Sequence, residues 1–199
     1  MTSLGDNVIR RTWRPLGRSV ALASSLVLLV LGVAAPAHAE TLEEHCVILL
    51  GDDDAAAAEA VVCADTREAA LEAFTAETGY TVVESGSAAA ESGSAVAESS
   101  DNLGPLVVYS LAELFADAGY GGTSHLITRS TPCDGVTLSG VSNLGTVGLN
   151  DAVSSFQTYS TCTVRLYANA SYGGSTYGWA TSQSSLPTFN DTASSARVR

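Results

Sequence analysis

The 199-residue chain carries nine arginines and no lysine against 21 acids, a formal net charge of −12, with 46% hydrophobic residues. Such a balance sets it against nucleic acid and anionic lipid head groups, and no run of basic residues in the sequence argues otherwise. The charge is unevenly placed: Glu40 to Asp101 holds 15 acids and one arginine, whereas Asn102 onward holds five acids and four arginines.

Residues 1–39 read as an export leader. Arg10, Arg11, Arg14 and Arg18 form a basic start, "SVALASSLVLLVLGVAA" is an apolar stretch of signal-peptide length, and "AHA" before Glu40 is a small-x-small cleavage site. The pair in "IRRTW" hints at twin-arginine export, but the rest of that motif is missing, which favours the general secretory route. The stretch is short for a span and is followed by a good cleavage site, so the expectation is a secreted chain with no membrane contact after cleavage.

Residues 40–83 are expected to form a small strand-strand-helix-strand module. "CVILL" and "AVVC" are short β-type runs, and "ADTREAALEAFTAETGY" places Asp65 three residues before Glu68, with Ala70, Leu71 and Phe74 at helical spacing and Gly79 as the cap. "YTVV" returns as a third strand. The "DDD" at 52–54 lacks the spacing of a calcium loop and reads as a solvated turn. Residues 84–104 follow as a linker, since "ESGSAAAESGSAVAESS" repeats every seven residues but offers only alanine and one valine as apolar side chains. It cannot bury a seam, and it marks a domain boundary.

All four cysteines follow the leader: Cys46, Cys63, Cys133 and Cys162. Disulfides are expected in an exported protein, and the linker favours local pairs, Cys46 with Cys63 and Cys133 with Cys162. No clustering of cysteine or histidine supports a metal site built on them.

From residue 105 the texture changes to short runs rich in Val, Leu, Tyr and Thr, broken by turn residues every eight to twelve positions. "PLVVYSLAELF", "SHLITRS", "GVTLSGV", "SSFQTYS", "CTVRLYA" and "STYGWAT" are candidate strands of an antiparallel sandwich. This half is also duplicated. "FADAGYGG" from Phe115 and "YANASYGG" from Tyr167 share one aromatic-Gly signature, and each precedes an Asn-Asp-x-x-Ser-Ser hexapeptide, "NDAVSS" from Asn150 and "NDTASS" from Asn190. The first copy has the longer spacer, placing an insertion around "STPCDGVTLSG".

The paired signatures resemble microbial calcium-binding βγ-crystallin domains, over roughly Pro105 to Arg199. The leader, cysteine-tied segment, acidic linker and paired C-terminal motifs are also similar to a family of secreted actinobacterial peptidase inhibitors related to a Streptomyces metalloproteinase inhibitor. The resemblance implies an all-β C-terminal domain, a double Greek-key sandwich, behind the disulfide-tied α+β module. It also implies two Ca²⁺ sites, each taking a backbone carbonyl and a hydroxyl from one hexapeptide and an acidic or amide side chain from the other. The candidate ligands are Asn150, Asp151, the Ala152 carbonyl and Ser154, with Asn190, Asp191, the Thr192 carbonyl and Ser194. The donors suit the ion, which takes six to eight hard oxygens, and with about one carboxylate per ion an affinity of order 10⁻⁵ to 10⁻³ M is expected. Phe115 with Tyr120 and Tyr167 with Tyr172 are expected to pack across folded hairpins, with Gly122 and Gly174 supplying positive φ. In the second copy Ala196 stands where the first has Phe156, which reads as an under-filled core position in a terminal strand prone to fray.

Little suggests catalysis. Ser124 adjoins His125, but neighbouring strand residues point to opposite faces, and Glu113 with Asp117 reads as a surface pair of acids. The expectations are a secreted, non-enzymatic calcium-binding protein, alternatively an inhibitor of an extracellular protease, or a structural protein of the cell surface or matrix.

Overall fold

The computed structural model describes residues 43–51, 58–84 and 106–199. The leader and nearly all of the acidic repeat lie outside the described residues. Ten strands and one α-helix are present among them: β1 His45–Leu50, β2 Ala58–Ala64, α1 Arg67–Thr78, β3 Tyr80–Val83, β4 Leu106–Asp117, β5 Gly121–Arg129, β6 Ser139–Val141, β7 Ser155–Thr158, β8 Val164–Asn169, β9 Gly173–Ala180 and β10 Ser195–Val198. No described helix is long and apolar enough to cross a membrane.

The C-terminal half is the expected double Greek-key sandwich. β4 and β5 form a hairpin in the first sheet, and β8 and β9 form its counterpart in the second. The third segment of each unit crosses over: β6 pairs with β10 in the second sheet, while Gln183 bridges Phe156 on β7 of the first. Each unit's last strand then returns home, β7 to β4 and β10 to β8. One core fills the space between the sheets, with Leu111, Leu114, Ile127, Leu149, Phe156, Leu166, Leu186 and Val198 among its members. The register shift between Phe115 and Asp117 recurs between Tyr167 and Asn169, and Gly122 and Gly174 take φ of 73° and 77° just beyond the two hairpin bends. A side chain on Gly122 would also strike the Asp117 carboxylate at 2.8 Å. The two aromatic pairs repeat the same contact, with ring centroids 5.6 Å apart in Phe115–Tyr120 and again in Tyr167–Tyr172.

The N-terminal segment departs from the module drawn from the sequence. Its order of elements is as expected, and the Thr66 hydroxyl and Gly79 cap α1. However, β1 pairs in parallel with β5, and β3 pairs in parallel with β4, giving one sheet ordered β2-β1-β5-β4-β3 with β7 also on β4. The physical reason lies in "CVILL". Ile48 and Leu50 face the sandwich core, whereas Val47 and Leu49 face Phe74 and Ala70 of α1. A strand apolar on both faces needs two covering layers, and 44 residues supply only one. Both expected disulfides are present, and neither links the two halves.

β10 is also not the frayed edge that its alanine suggested. It sits between β6 and β8, and Ala196 is fully buried. A Cβ on Gly140 of β6 would collide with the Ala196 carbonyl, so the backbones meet closely here.

His125 is buried in this core, donating Nε2–H to the Val147 carbonyl at 2.7 Å while Nδ1 has no hydrogen-bond partner. Burial lowers its pKa from 6.5 to about 4. The unfolded chain therefore binds the proton more tightly, and this contribution is complete above pH 6.5 and lost as pH falls toward 4. Urea titrations across that window should show stability declining by up to about 3 kcal/mol, and His125→Gln should flatten the decline.

Candidate metal centre

The two hexapeptides leave the strands at equivalent corners. Ser154 N–H donates to the Phe115 carbonyl at 2.9 Å, and Ser194 N–H donates to the Tyr167 carbonyl at 2.8 Å. The following serines tie each hexapeptide to its own aromatic hairpin. Ser155 Oγ donates to the Asp117 carbonyl at 2.6 Å and accepts from Tyr120 N–H, while Ser195 Oγ donates to the Asn169 carbonyl at 2.7 Å and accepts from Tyr172 N–H. The last serine of each motif is thus structural.

The remaining positions are exchanged between the copies. Ser154 Oγ donates to Asp191 Oδ1 at 3.0 Å, and Ser194 Oγ donates to Asp151 Oδ1 at 3.1 Å. Asp151 N–H donates to the Ala193 carbonyl at 2.9 Å, and Asp191 N–H to the Val153 carbonyl at 3.2 Å. Both aspartates hold φ of 51°, a left-handed conformation that side chains other than Gly, Asn and Asp rarely take. The result is two Asp-Ser pairs, each drawing its carboxylate from one motif and its hydroxyl from the other.

The asparagines are placed differently. Asn150 Nδ2 donates to Asp151 Oδ2 at 2.7 Å, and Asn190 Nδ2 donates to Asp191 Oδ2 at 2.7 Å. Each therefore clamps the carboxylate beside it rather than reaching across. The Ala152 and Thr192 carbonyls take no part in these bonds, and both aspartates are exposed.

The donor set fits a hard divalent cation: a carboxylate, a hydroxyl and nearby carbonyls, all oxygen, at the surface. Ser194 Oγ also lies 2.9 Å from the Ala168 carbonyl. Its proton can turn there and leave a lone pair facing an ion beside Asp151.

No family model matches the chain, and no curated protein does. Solved structures do match. The neighbours are βγ-crystallin domains. A mutant of a domain from Clostridium beijerinckii is 23% identical, covering 44% of this chain and 95% of that one at a TM-score of 0.36. A domain from Flavobacterium johnsoniae is 28% identical, covering 45% and 93% at a TM-score of 0.35. A double mutant of clostrillin in complex with nickel is 25% identical, covering 44% and 95% at a TM-score of 0.33.

A second polar cluster was not legible in the sequence. It lies on the outer face of the first sheet, beside the start of α1. Glu113 is 2% exposed and accepts from Ser124 Oγ at 2.8 Å, Tyr159 OH at 2.7 Å and Arg67 Nε at 3.3 Å. The sequence reading of Glu113 as a surface acid is thereby corrected: three donors from distant segments satisfy it in a buried site. Burial disfavours the Arg67 charge, yet Glu113, Tyr159 and Glu84 outweigh it and hold its pKa above the ordinary value. Burial, and then the Glu113 charge, raise the Tyr159 phenol. Ser124 turns to His45, whose Nδ1 is 2.9 Å away, and not to its neighbour His125, which faces the core. Because the hydroxyl hydrogen goes to Glu113, His45 Nδ1 is the donor to Ser124.

This cluster joins α1, β1, β4 and β5. Removing the buried acid strands a guanidinium and a phenol, so Glu113→Ala should cost about 3 to 5 kcal/mol in a denaturant titration. Glu84→Ala, at the half-exposed partner of Arg67, should cost less than about 1 kcal/mol.

Proposed function

We propose that this chain is an exported, non-enzymatic calcium-binding protein whose two hexapeptides hold Ca²⁺ between them and whose fold the ion stabilises. One observation carries the reading: each aspartate is paired with the serine of the opposite hexapeptide, in the same geometry twice. Turn-making alone explains a single Asn-Asp-x-x-Ser-Ser, but it does not require the side chains of two copies to meet. In the ion's absence the serine proton neutralises part of the carboxylate field, and a cation replaces that proton as the partner. Of the eight residues named from the sequence, Asp151, Ser154, Asp191 and Ser194 supply side-chain oxygens, Ala152 and Thr192 supply carbonyls, and Asn150 and Asn190 orient the carboxylates.

Calorimetry with millimolar Ca²⁺ should give a higher melting temperature than with EDTA. At about a hundredfold excess over Kd the gain is about 2.7 kcal/mol per site. Asp191→Ala and Ser194→Ala should each remove part of the gain, whereas a change in the 84–104 linker leaves it intact. Superimposable melting curves in Ca²⁺ and EDTA would refute the assignment.

A second reading, inhibition of an extracellular protease, is favoured by the insertion between β5 and β6. Buried Arg129 donates through Nε to the Thr131 carbonyl and through Nη2 to the Pro132 carbonyl, both at 3.1 Å, and through Nη1 to Ser139 Oγ. The Cys133–Cys162 bridge anchors the loop. Asp134 then receives the Thr137 hydroxyl and the amides of Val136 and Thr137, which hold its carboxyl down to about 2. At the tip Val136 is 79% exposed, the most exposed large apolar side chain among the described residues. A pinned loop presenting one apolar side chain suits the apolar pocket of a protease, because little conformational entropy remains to be lost on binding. The chain should inhibit a thermolysin-like metalloprotease, and Val136→Asp should abolish inhibition with an unchanged melting temperature. Equal inhibition by the variant, or none by the parent, rules this reading out.

A further inference from the structure

The sequence shows no run of basic residues, yet the fold assembles a basic face. On β8 and β10 the side chains alternate, with Val164, Leu166, Ala196 and Val198 buried toward the core and Arg165, Arg197 and Arg199 on the outer side. Arg165 and Arg197 are direct cross-strand partners. Arg197 lies over the Tyr172 ring at 4.0 Å, and Arg165 and Arg199 lie over Trp179 at 5.2 and 4.2 Å. None of the three forms an ion pair among the described residues, and Arg165 Nε is buried without a hydrogen-bond partner. Stacking on aromatic rings fixes the guanidiniums in place. Like charges directly opposite on adjacent strands are destabilising, so this face costs stability until an anion meets it.

The molecule carries the complement on its far side. α1 lies on the outer face of the first sheet and the arginines on the outer face of the second, so helix, sheet, sheet and arginine face are stacked in that order. Glu68 and Glu72 fall on one exposed side of α1 as a like-charge pair one turn apart, and Asp65 is exposed just before the helix. Neither glutamate forms an ion pair among the described residues.

We infer that copies of this chain associate head to tail, the acidic outer side of α1 on one copy docking against the Arg165, Arg197 and Arg199 face of the next. Both faces are crowded with one sign of charge, and a single contact relieves both. Because the two patches lie on opposite sides of the molecule, the contact is heterologous and extends into a linear array rather than closing as a dimer. The net charge of −12 opposes association at long range, but at about 0.15 M salt repulsion is screened beyond roughly 8 Å while contacting pairs persist.

The test is sedimentation equilibrium of the purified chain in EDTA, so that no divalent ion bridges carboxylates. At about 0.15 M NaCl the weight-average mass should rise with concentration to at least about twice that of one chain, and at about 1 M it should return to one chain. Arg165→Glu/Arg197→Glu and Glu68→Arg/Glu72→Arg should each be monomeric alone. Mixed in equal amounts they should associate again, because every contact then joins an acidic face to a basic one. Should the first variant lose its near-ultraviolet circular dichroism, Arg165→Gln/Arg197→Gln takes its place and should be monomeric. A monomeric parent, a single-face variant that still associates, or a folded pair that stays monomeric on mixing overturns the proposal.

Discussion

Where β4 slips against β5, between Ser110 and Ala112, the alternation of its side chains is reset. Before the slip Val108 faces the helix layer, Leu111 sits within the slip, and Leu111, Ala112 and Leu114 all belong to the sandwich core. The outward side of the strand is left to Glu113, past the first turn of α1. A carboxylate in that position must find donors, and it finds them on three elements that are distant in sequence. The docking of the N-terminal segment follows from this one irregularity. α1 covers the apolar part of the sheet, Arg67 at its start reaches the acid, and β1 lies beside β5 so that His45 meets Ser124.

The exchange of third segments has a different consequence. Because β6 crosses to β10 and Gln183 crosses to β7, the connections that follow them, which carry the hexapeptides, are brought to the same end of the sandwich. Neither Asp151 nor Asp191 meets a hydroxyl of its own motif in the pairs described here. The local backbone, with both aspartates in the left-handed region, is held by amide N–H hydrogen bonds to carbonyls of the other copy, so the geometry exists only when both units are folded. An arrangement assembled in this way reports on the whole sandwich, because unfolding either unit removes one member of each Asp-Ser pair.

Much of this was readable in the residues. The helix over Arg67–Thr78 announced itself through its apolar spacing and Gly79, although its N-cap is Thr66 and not Asp65, the two aromatic-Gly signatures marked the hairpins, and the repeated hexapeptide marked the two segments whose Asp and Ser side chains meet. What the sequence hid were relations across distance. "CVILL" carries a signal, since five successive apolar residues imply burial on both faces, but the acidic repeat that follows reads locally as a boundary. Glu113 looked exposed because its three partners lie 11, 46 and 46 residues away. Arg165 and Arg197 looked isolated because only a sheet sets them side by side. Ala196 looked like a defect because the close approach of Gly140 cannot be inferred from either residue alone.

The position of β10 joins the core to the candidate metal centre. It is a central strand of the second sheet, although only four residues long, and its short ladder is reinforced at one end by Ser194 and Ser195. Ser195 locks the strand to the Tyr172 hairpin, and Ser194 reaches Asp151 of the other unit. A short central strand contributes little cooperativity by itself, so its stability depends on what fixes its ends. A cation held between Ser194 and Asp151, as proposed, would fix one end by charge and so oppose the loss of β10. The arginines on the outer side of β10 depend on the same strand, so an opening of β10 would also part Arg197 from its cross-strand partner Arg165.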